Sequence, residues 1–248
     1  MSTWRTAAVA TSLCWGANRL PFIEDEVRAL REWVRPGSVC MDIGAEYGLY
    51  TWVMSALAGP NGHVHSVEPL PGPSSWLQAA AGLLGARNVT VHRTALGAAA
   101  GHGSLSLPTR RLMPVHGRAY LVEGSQGPGP NAEFSSARTV PATIQTLDHL
   151  ASDIGLKDLS FVKADVEGAE LAVLRGGADT LSRYQPTILL EIEERHLAKY
   201  GSSSSDVFQH LARHGYRCHR LQHGQWTQIS RITDDNRNYL FTPDHVNF

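Results

Sequence analysis

The chain has 248 residues, 42% of them hydrophobic and 18% charged, with a formal net charge of -1. That length buries a sizeable core without staples, and the near-zero charge leaves no electrostatic footprint for nucleic acid. Three cysteines, Cys14, Cys40 and Cys218, are unclustered and lack metal-ligand spacing, as expected of reduced thiols in a cytoplasmic protein.

Residues 1–36 read as an N-terminal helical segment. Its apolar patch at 7–13 is interrupted by Thr11 and Ser12, which makes it too short and polar for a membrane span and a poor signal peptide. Over 24–34 a helix places Val27, Leu30 and Val34 on one face, and Pro36-Gly37 ends it. A strand at 38–43, a glycine-bearing turn and a helix at 49–57 follow. The next elements are a strand at 63–68, a helix at 74–84 and a strand at 89–92. Strand and helix alternating through short turns predict an α/β fold with a parallel sheet covered on both faces.

Between 97 and 140 glycine and proline become dense, and only 104–107 and 119–122 look extended. A segment of this length without regular structure is usually functional or disordered. It reads as an insertion beside the site mouth, with Arg110, Arg111, His116 and Arg118 available to an anionic or polyhydroxylated ligand; a merely solvated insertion is the competing reading. Alternation then resumes with a helix at 146–154, a strand at 159–165 and a helix start at 169–174. A strand at 187–191, a helix at 206–214 and extended runs at 216–221 and 239–242 complete the pattern, without repeats or a second domain.

Four predicted strands stop at a carboxylate: Asp42, Glu68, Asp165 and Glu191. In an open α/β sheet, ligands bind outside the carboxyl ends of the strands, so these acids converge on one crevice. A single acid there is often only a helix cap. The first turn, VCMDIGAEYG at 39–48, has two glycines and an acid rather than the three glycines of a dinucleotide fingerprint. Glu46 would repel a pyrophosphate, whereas Asp42 can pair with an α-ammonium group. A second strand ending in Glu68 suits two ribose hydroxyls. The spacing therefore favours S-adenosylmethionine over NAD, with an ordinary strand-turn-helix corner as the alternative. In FVKADVEGAE, 161–170, Lys163 and Asp165 share a strand face, and Glu167 and Glu170 fall where the next helix begins.

The chain resembles the FkbM family of S-adenosylmethionine-dependent methyltransferases over 39–242. The matching strings are MDIGAEYGLYT (41–51), GHVHSVEPLP (62–71), RTALG (93–97), TLDHL (146–150), FVKADVEGAELAVLRGG (161–177), PTILLEIE (186–193) and NYLF (238–241). Glu46 departs from the Asn usual in the family. The resemblance implies a Rossmann-like class I methyltransferase in a single domain over 1–248: a mostly parallel seven-stranded sheet with an antiparallel last strand and helices on both faces. It places Asp42, Gly44, Ala45 and Glu46 against the methionine end of the cofactor, with Thr51 nearby. Glu68 falls at the ribose, with Pro69 next to it, and Thr94 and Ala95 flank the adenine. The family is associated with O-methylation of hydroxyls on secondary metabolites and sugars.

Transfer to an alcohol needs alignment of the acceptor oxygen and removal of its proton. The candidates for that work are Asp165, which also borders the cofactor, Glu191 and the nearby His196. Asp165 with Glu191 or Glu193 could instead hold Mg²⁺, as in catechol-type O-methyltransferases. The expected acceptor is a small hydroxylated molecule rather than nucleic acid or membrane. The competing readings are transfer to an amide or amine nitrogen and a non-catalytic partner subunit.

Overall fold

Strands that are apolar on both faces can be buried only between two helical layers, and this chain supplies several. The computed structural model describes residues 4–17, 24–111, 113–127, 136–233 and 235–246. The strands are β1 (Val39–Ile43), β2 (His63–Val67), β3 (Val89–His92), β4 (Ala95–Leu96), β5 (Gly101–Arg110), β6 (Met113–Pro114) and β7 (Tyr120–Leu121). They continue with β8 (Ser136–Gln145), β9 (Phe161–Ala164), β10 (Thr187–Glu191), β11 (Tyr216–Gln222), β12 (Gln225–Ile229) and β13 (Asn238–Pro243). The helices are α1 (Trp4–Gly16), α2 (Glu26–Ala29), α3 (Leu49–Ala58), α4 (Pro71–Leu84), α5 (Leu147–Asp153), α6 (Glu170–Arg175), α7 (Ala178–Tyr184), α8 (Glu194–Leu197) and α9 (Ser204–Arg213).

The main sheet has the order β12-β11-β13-β10-β9-β1-β2-β3. β1, β2, β3, β9 and β10 pair in parallel, and β13 is antiparallel to both β10 and β11. The seven expected strands and the antiparallel last strand are present. An eighth, β12, extends the edge as a hairpin on β11. Its sequence, QWTQI, is mostly polar and half exposed, so it carries no apolar run by which a strand is recognised.

Side-chain alternation sorts the core into two layers. Met41, Ile43, Val162, Ala164, Ile188 and Leu190 pack with Leu150, Leu174, Leu181 and Leu211 of α5, α6, α7 and α9. Cys40, Val64, Phe161, Leu189 and Leu240 pack on the other face with Val27, Val53 and Met54. Each fully buried Leu, Phe or Met contributes about 1.5–3 kcal/mol relative to exposure. Helix starts follow local chemistry: Pro71 opens α4 at a position where its missing N–H costs nothing, and Ser203 with Asp206 forms a capping box on α9.

The 97–140 insertion differs from its sequence reading. Its described part is a second sheet, β4-β8-β5-β6 with β7 on β5, and β8 runs on to Gln145. β5 and β8 pair antiparallel from Gly101 opposite Ile144 to Thr109 opposite Ser136. Gly101, Gly103, Pro108 and Pro141 interrupt the strand signal, which is why the pairing was not legible. Residue 112 and residues 128–135 of this insertion lie outside the described residues.

β1 sits between β2 and β9, so the chain leaves toward one edge after β1 and toward the other after β9. The crevice opened by that reversal lies at the carboxyl ends of β1, β2, β9 and β10.

Candidate active site

The first turn can pass close to β9 only because it begins with glycine. Gly44 has φ +79, and a Cβ there would lie 1.8 Å from the backbone oxygen of Asp165. Gly44 and Ala45 donate their N–H groups to the Val67 carbonyl at 2.9 and 3.1 Å, which fixes the turn against β2. Glu46 then adopts φ 46, a left-handed conformation uncommon for a residue with a long side chain. That conformation aims its N–H at Glu68 Oε2, 2.9 Å away, while Leu70 N–H donates to Glu68 Oε1 at 2.8 Å. Glu68 is thus held by two backbone donors, with lone pairs left for a ligand.

A cleft open to solvent, about 670 Å³ with its mouth included, lies here. Of the predicted cofactor residues, Gly44, Glu46, Glu68, Pro69, Thr94, Ala95 and Asp165 line it. Asp42, Ala45 and Thr51 do not. Asp42 is 2% exposed, and its carboxylate accepts a 2.5 Å hydrogen bond from Thr51 Oγ1, which also meets Ser66 Oγ at 2.8 Å. This pair braces the strand-turn-helix corner from behind. Ala45 packs with Trp52 and Leu77 instead.

The insertion supplies the opposite wall. Leu105, His116, Gly117, Ala119 and Leu121 all line the cleft. Gly117 donates its N–H to the Glu46 carboxylate, and Arg118 reaches Glu167 at 3.2 Å. Glu167, with φ 54, lines the cleft too and was read from sequence only as a helix-start acid. That role belongs to Glu170, whose Oε1 accepts the N–H groups of Val166 and Gly168 at 3.2 Å each. No local motif links Arg118 to Glu167 across 49 positions of sequence.

A second, widely open cavity shares Glu46, His116, Gly117, Asp165 and Glu167 with the first and adds Glu24, Tyr47, Glu191 and Arg237. Asp165 and Glu191 meet there, their carboxyls hydrogen-bonded to each other. Burial raises both pKa values, and the Asp165 charge raises Glu191 further, so the pair favours holding one proton between its two carboxyls. Lys163 lies beneath, 1% exposed, donating to Asn238 Oδ1 at 3.1 Å. Burial alone would lower its pKa, but Asp165, Glu24, Glu191 and Asp42 outweigh that and raise it.

His196 is not at the cleft surface. It is 3% exposed, with Nε2 3.2 Å from Arg118 Nη1 and Nδ1 3.0 Å from Glu167 Oε2. A guanidinium only donates, so Nε2 accepts and Nδ1 carries the proton toward Glu167. Burial, then the Lys199 charge, lowers its pKa to about 3. The ring is therefore neutral with its accepting nitrogen, Nε2, engaged by Arg118, which leaves no free nitrogen to act as a base. Among the described residues no group of three or more His, Cys, Asp or Glu is placed to hold a metal ion, so the alternative of Mg²⁺ at Asp165 with Glu191 or Glu193 gains no support here. Glu193 is instead bound to Arg195 at 2.6 Å and Arg237 at 3.5 Å.

Comparison with known proteins agrees with this geometry. Residues 42–218 match the Methyltransferase FkbM domain. The chain belongs to the FkbM methyltransferase family. Among solved structures it is similar to the FkbM methyltransferase of Methylobacillus flagellatus KT, with 17% identity and a TM-score of 0.51, over 96% of this chain and 59% of that one. It thus spans about three-fifths of that relative's length. The cofactor-bound Rv0187 protein from MTB aligns with a TM-score of 0.51 and 13% identity, over 96% of this chain and 89% of that one. At these identities the likeness shows the fold, a class I methyltransferase sheet. No curated protein matches the chain in sequence. Among the described residues no helix is long and apolar enough to cross a membrane.

Burial raises Glu170 to about 7, so the folded state holds a proton that the unfolded chain releases near the ordinary glutamate value of ~4.3. The stability it contributes is complete below the unfolded pKa and is lost as pH rises through 7. His65 and His196, lowered to about 3, act in the opposite direction, so a difference measurement isolates the glutamate. In urea unfolding, Glu170→Gln should gain stability relative to wild type between about pH 5 and about pH 8. A pH-independent difference would contradict the assignment.

Proposed function

We propose that this FkbM-family methyltransferase transfers the methyl group of S-adenosylmethionine to a hydroxyl oxygen of a small metabolite, sugar or secondary-metabolite intermediate. One observation carries the reading of the cofactor. Among the described residues the first cleft is walled by four carboxylates, Glu46, Glu68, Asp165 and Glu167, and by no Lys or Arg. Such a wall repels a pyrophosphate and favours a nucleoside bearing ammonium and sulfonium charges. The glycine cradle at Gly44 and the two-donor seat of Glu68 fit a ribose with free hydroxyls, while Val67, Leu70, Leu96, Leu105 and Leu121 supply apolar walls for a base.

When bound, S-adenosylmethionine supplies a methyl on a sulfonium centre, which leaves as a neutral thioether. This chain's residues align the acceptor and move its proton. Asp165 borders both cavities and stands as the ionised member of the shared-proton pair, ready to take the hydroxyl proton as the oxygen–carbon bond forms. Glu191 donates its hydrogen bond to Asp165 and holds it in place. Glu167 is fixed by Arg118, His196 and Lys199, which makes His196 a positioning residue. The surplus of carboxylates in the second cavity favours one further reading, an amine acceptor, in which the same pair would take a proton from nitrogen.

Replacing Glu68 with Ala should weaken S-adenosylhomocysteine about 10- to 150-fold by calorimetry, the equivalent of ~1.5–3 kcal/mol for a hydrogen bond to a charged group. A change within about twofold would refute the ribose assignment. Asp165→Asn should lower turnover of labelled cofactor ~10²–10⁴-fold with whichever acceptor yields product, while S-adenosylhomocysteine affinity stays within about fivefold. Unchanged turnover would remove Asp165 as the base, and the bond type in the labelled product separates oxygen from nitrogen transfer.

A further inference from the structure

The second cavity changes character from floor to rim. Its floor is Asp165, Glu167 and Glu191, whereas Tyr47, Pro114, Val115 and His116 form one side of its mouth. Tyr47 is 42% exposed yet fixed at both ends. Its hydroxyl meets His116 Nδ1 at 3.1 Å, and its carbonyl accepts a hydrogen bond from Trp52 Nε1 at 3.1 Å. Trp76, on α4, is 47% exposed and stands edge-on to Tyr47, with ring centroids 5.6 Å apart and planes at 85°. Behind them Trp52 is buried, 6.3 Å from Trp76, and Leu77 is fully buried.

The core under α4 is therefore already filled without Trp76. Two large aromatic rings remain half-exposed, Tyr47 in the wall of a cavity whose floor is polar and Trp76 edge-on to Tyr47 beside it. Exposed rings cost solvation unless something covers them, and Tyr and Trp suit contacts that are apolar on one side and wet on the other. A floor of carboxyls below an aromatic rim matches a ligand with a polar reacting end and a flat distal part.

We propose that Tyr47 and Trp76 form a distal acceptor subsite that takes a six-membered ring with an apolar face, aryl or pyranose, joined to the reacting hydroxyl. This rests on the reading of the second cavity as the acceptor site. The floor then sets which atom is methylated, and the ledge sets which molecules are retained long enough to react.

The test uses the full chain saturated with S-adenosylhomocysteine and matched probes. Phenyl β-D-glucopyranoside and methyl β-cellobioside are each compared with methyl β-D-glucopyranoside, and benzyl alcohol is compared with ethanol. Ring-bearing probes of at least one kind should bind about tenfold more tightly than their counterparts, a gain that Tyr47→Ala and Trp76→Ala each cut to about threefold or less and Trp76→Phe retains. The aryl and cellobioside arms tell an aromatic ring from a sugar ring. No gain in any pair, or a gain that survives both alanine substitutions, overturns the proposal. Cofactor affinity is read in the same samples. Its absence in the wild type would defeat the methyltransferase reading itself, whereas intact cofactor binding without a ring gain defeats only the ledge.

Discussion

The approach of Gly44 to the Asp165 carbonyl is the constraint on which the site depends. Backbone meets backbone there with no room for even a methyl group, so the turn after β1 and the end of β9 become two sides of one seam. Asp165 N–H donates to the Ile43 carbonyl at 2.9 Å, which closes the seam by a hydrogen bond as well as by contact. From it Glu46 is turned toward Glu68, and Asp165 is brought to the border between the two cavities. Any side chain at position 44 would push the two strand ends apart, and the cleft would lose the geometry that makes its acids converge.

Charge balance is the second constraint. Asp42, Asp165, Glu191 and Glu24 surround one buried cation, Lys163, whose ammonium also lies 5.0 Å from the Tyr50 ring centroid. One cation cannot hold every buried carboxylate around it ionised, and Asp42 at about 6 shows the direction in which burial drives these buried acids. The arrangement keeps a proton on the Asp165–Glu191 pair and leaves the cleft net acidic. Arg118 answers part of that charge from the insertion, so the second sheet is tied to the core through the same acids that line the cavities.

The strands that build the crevice were legible because their chemistry is local. β1 and β9 are apolar but for Asp42 and Lys163, β10 is apolar between Thr187 and its closing Glu191, and β1, β2, β9 and β10 all end at or next to an acid; the two-residue period alone placed Lys163 and Asp165 on one face. The helices α7 and α8 were not read, since each is two turns or fewer and carries a weak apolar period. Position in space set Asp42, Ala45, Thr51 and His196 apart from the cleft lining. Asp42 and Thr51 satisfy each other behind the turn, and His196 is consumed by Arg118 and Glu167, partners 78 and 29 positions away that no spacing rule connects. The insertion was placed near the mouth from its length and composition, but its residues Leu105, Gly117 and Leu121 became wall positions only through the pairing of β5 with β7 and β8.

The most direct test is a crystal structure of the chain with S-adenosylhomocysteine. The account predicts both ribose hydroxyl oxygens within ~3.2 Å of the Glu68 carboxylate, the base between the Leu96 and Leu121 walls, and the sulfur facing the second cavity past Asp165. A ribose bound away from Glu68, or a sulfur pointing away from the Asp165–Glu191 pair, would contradict it.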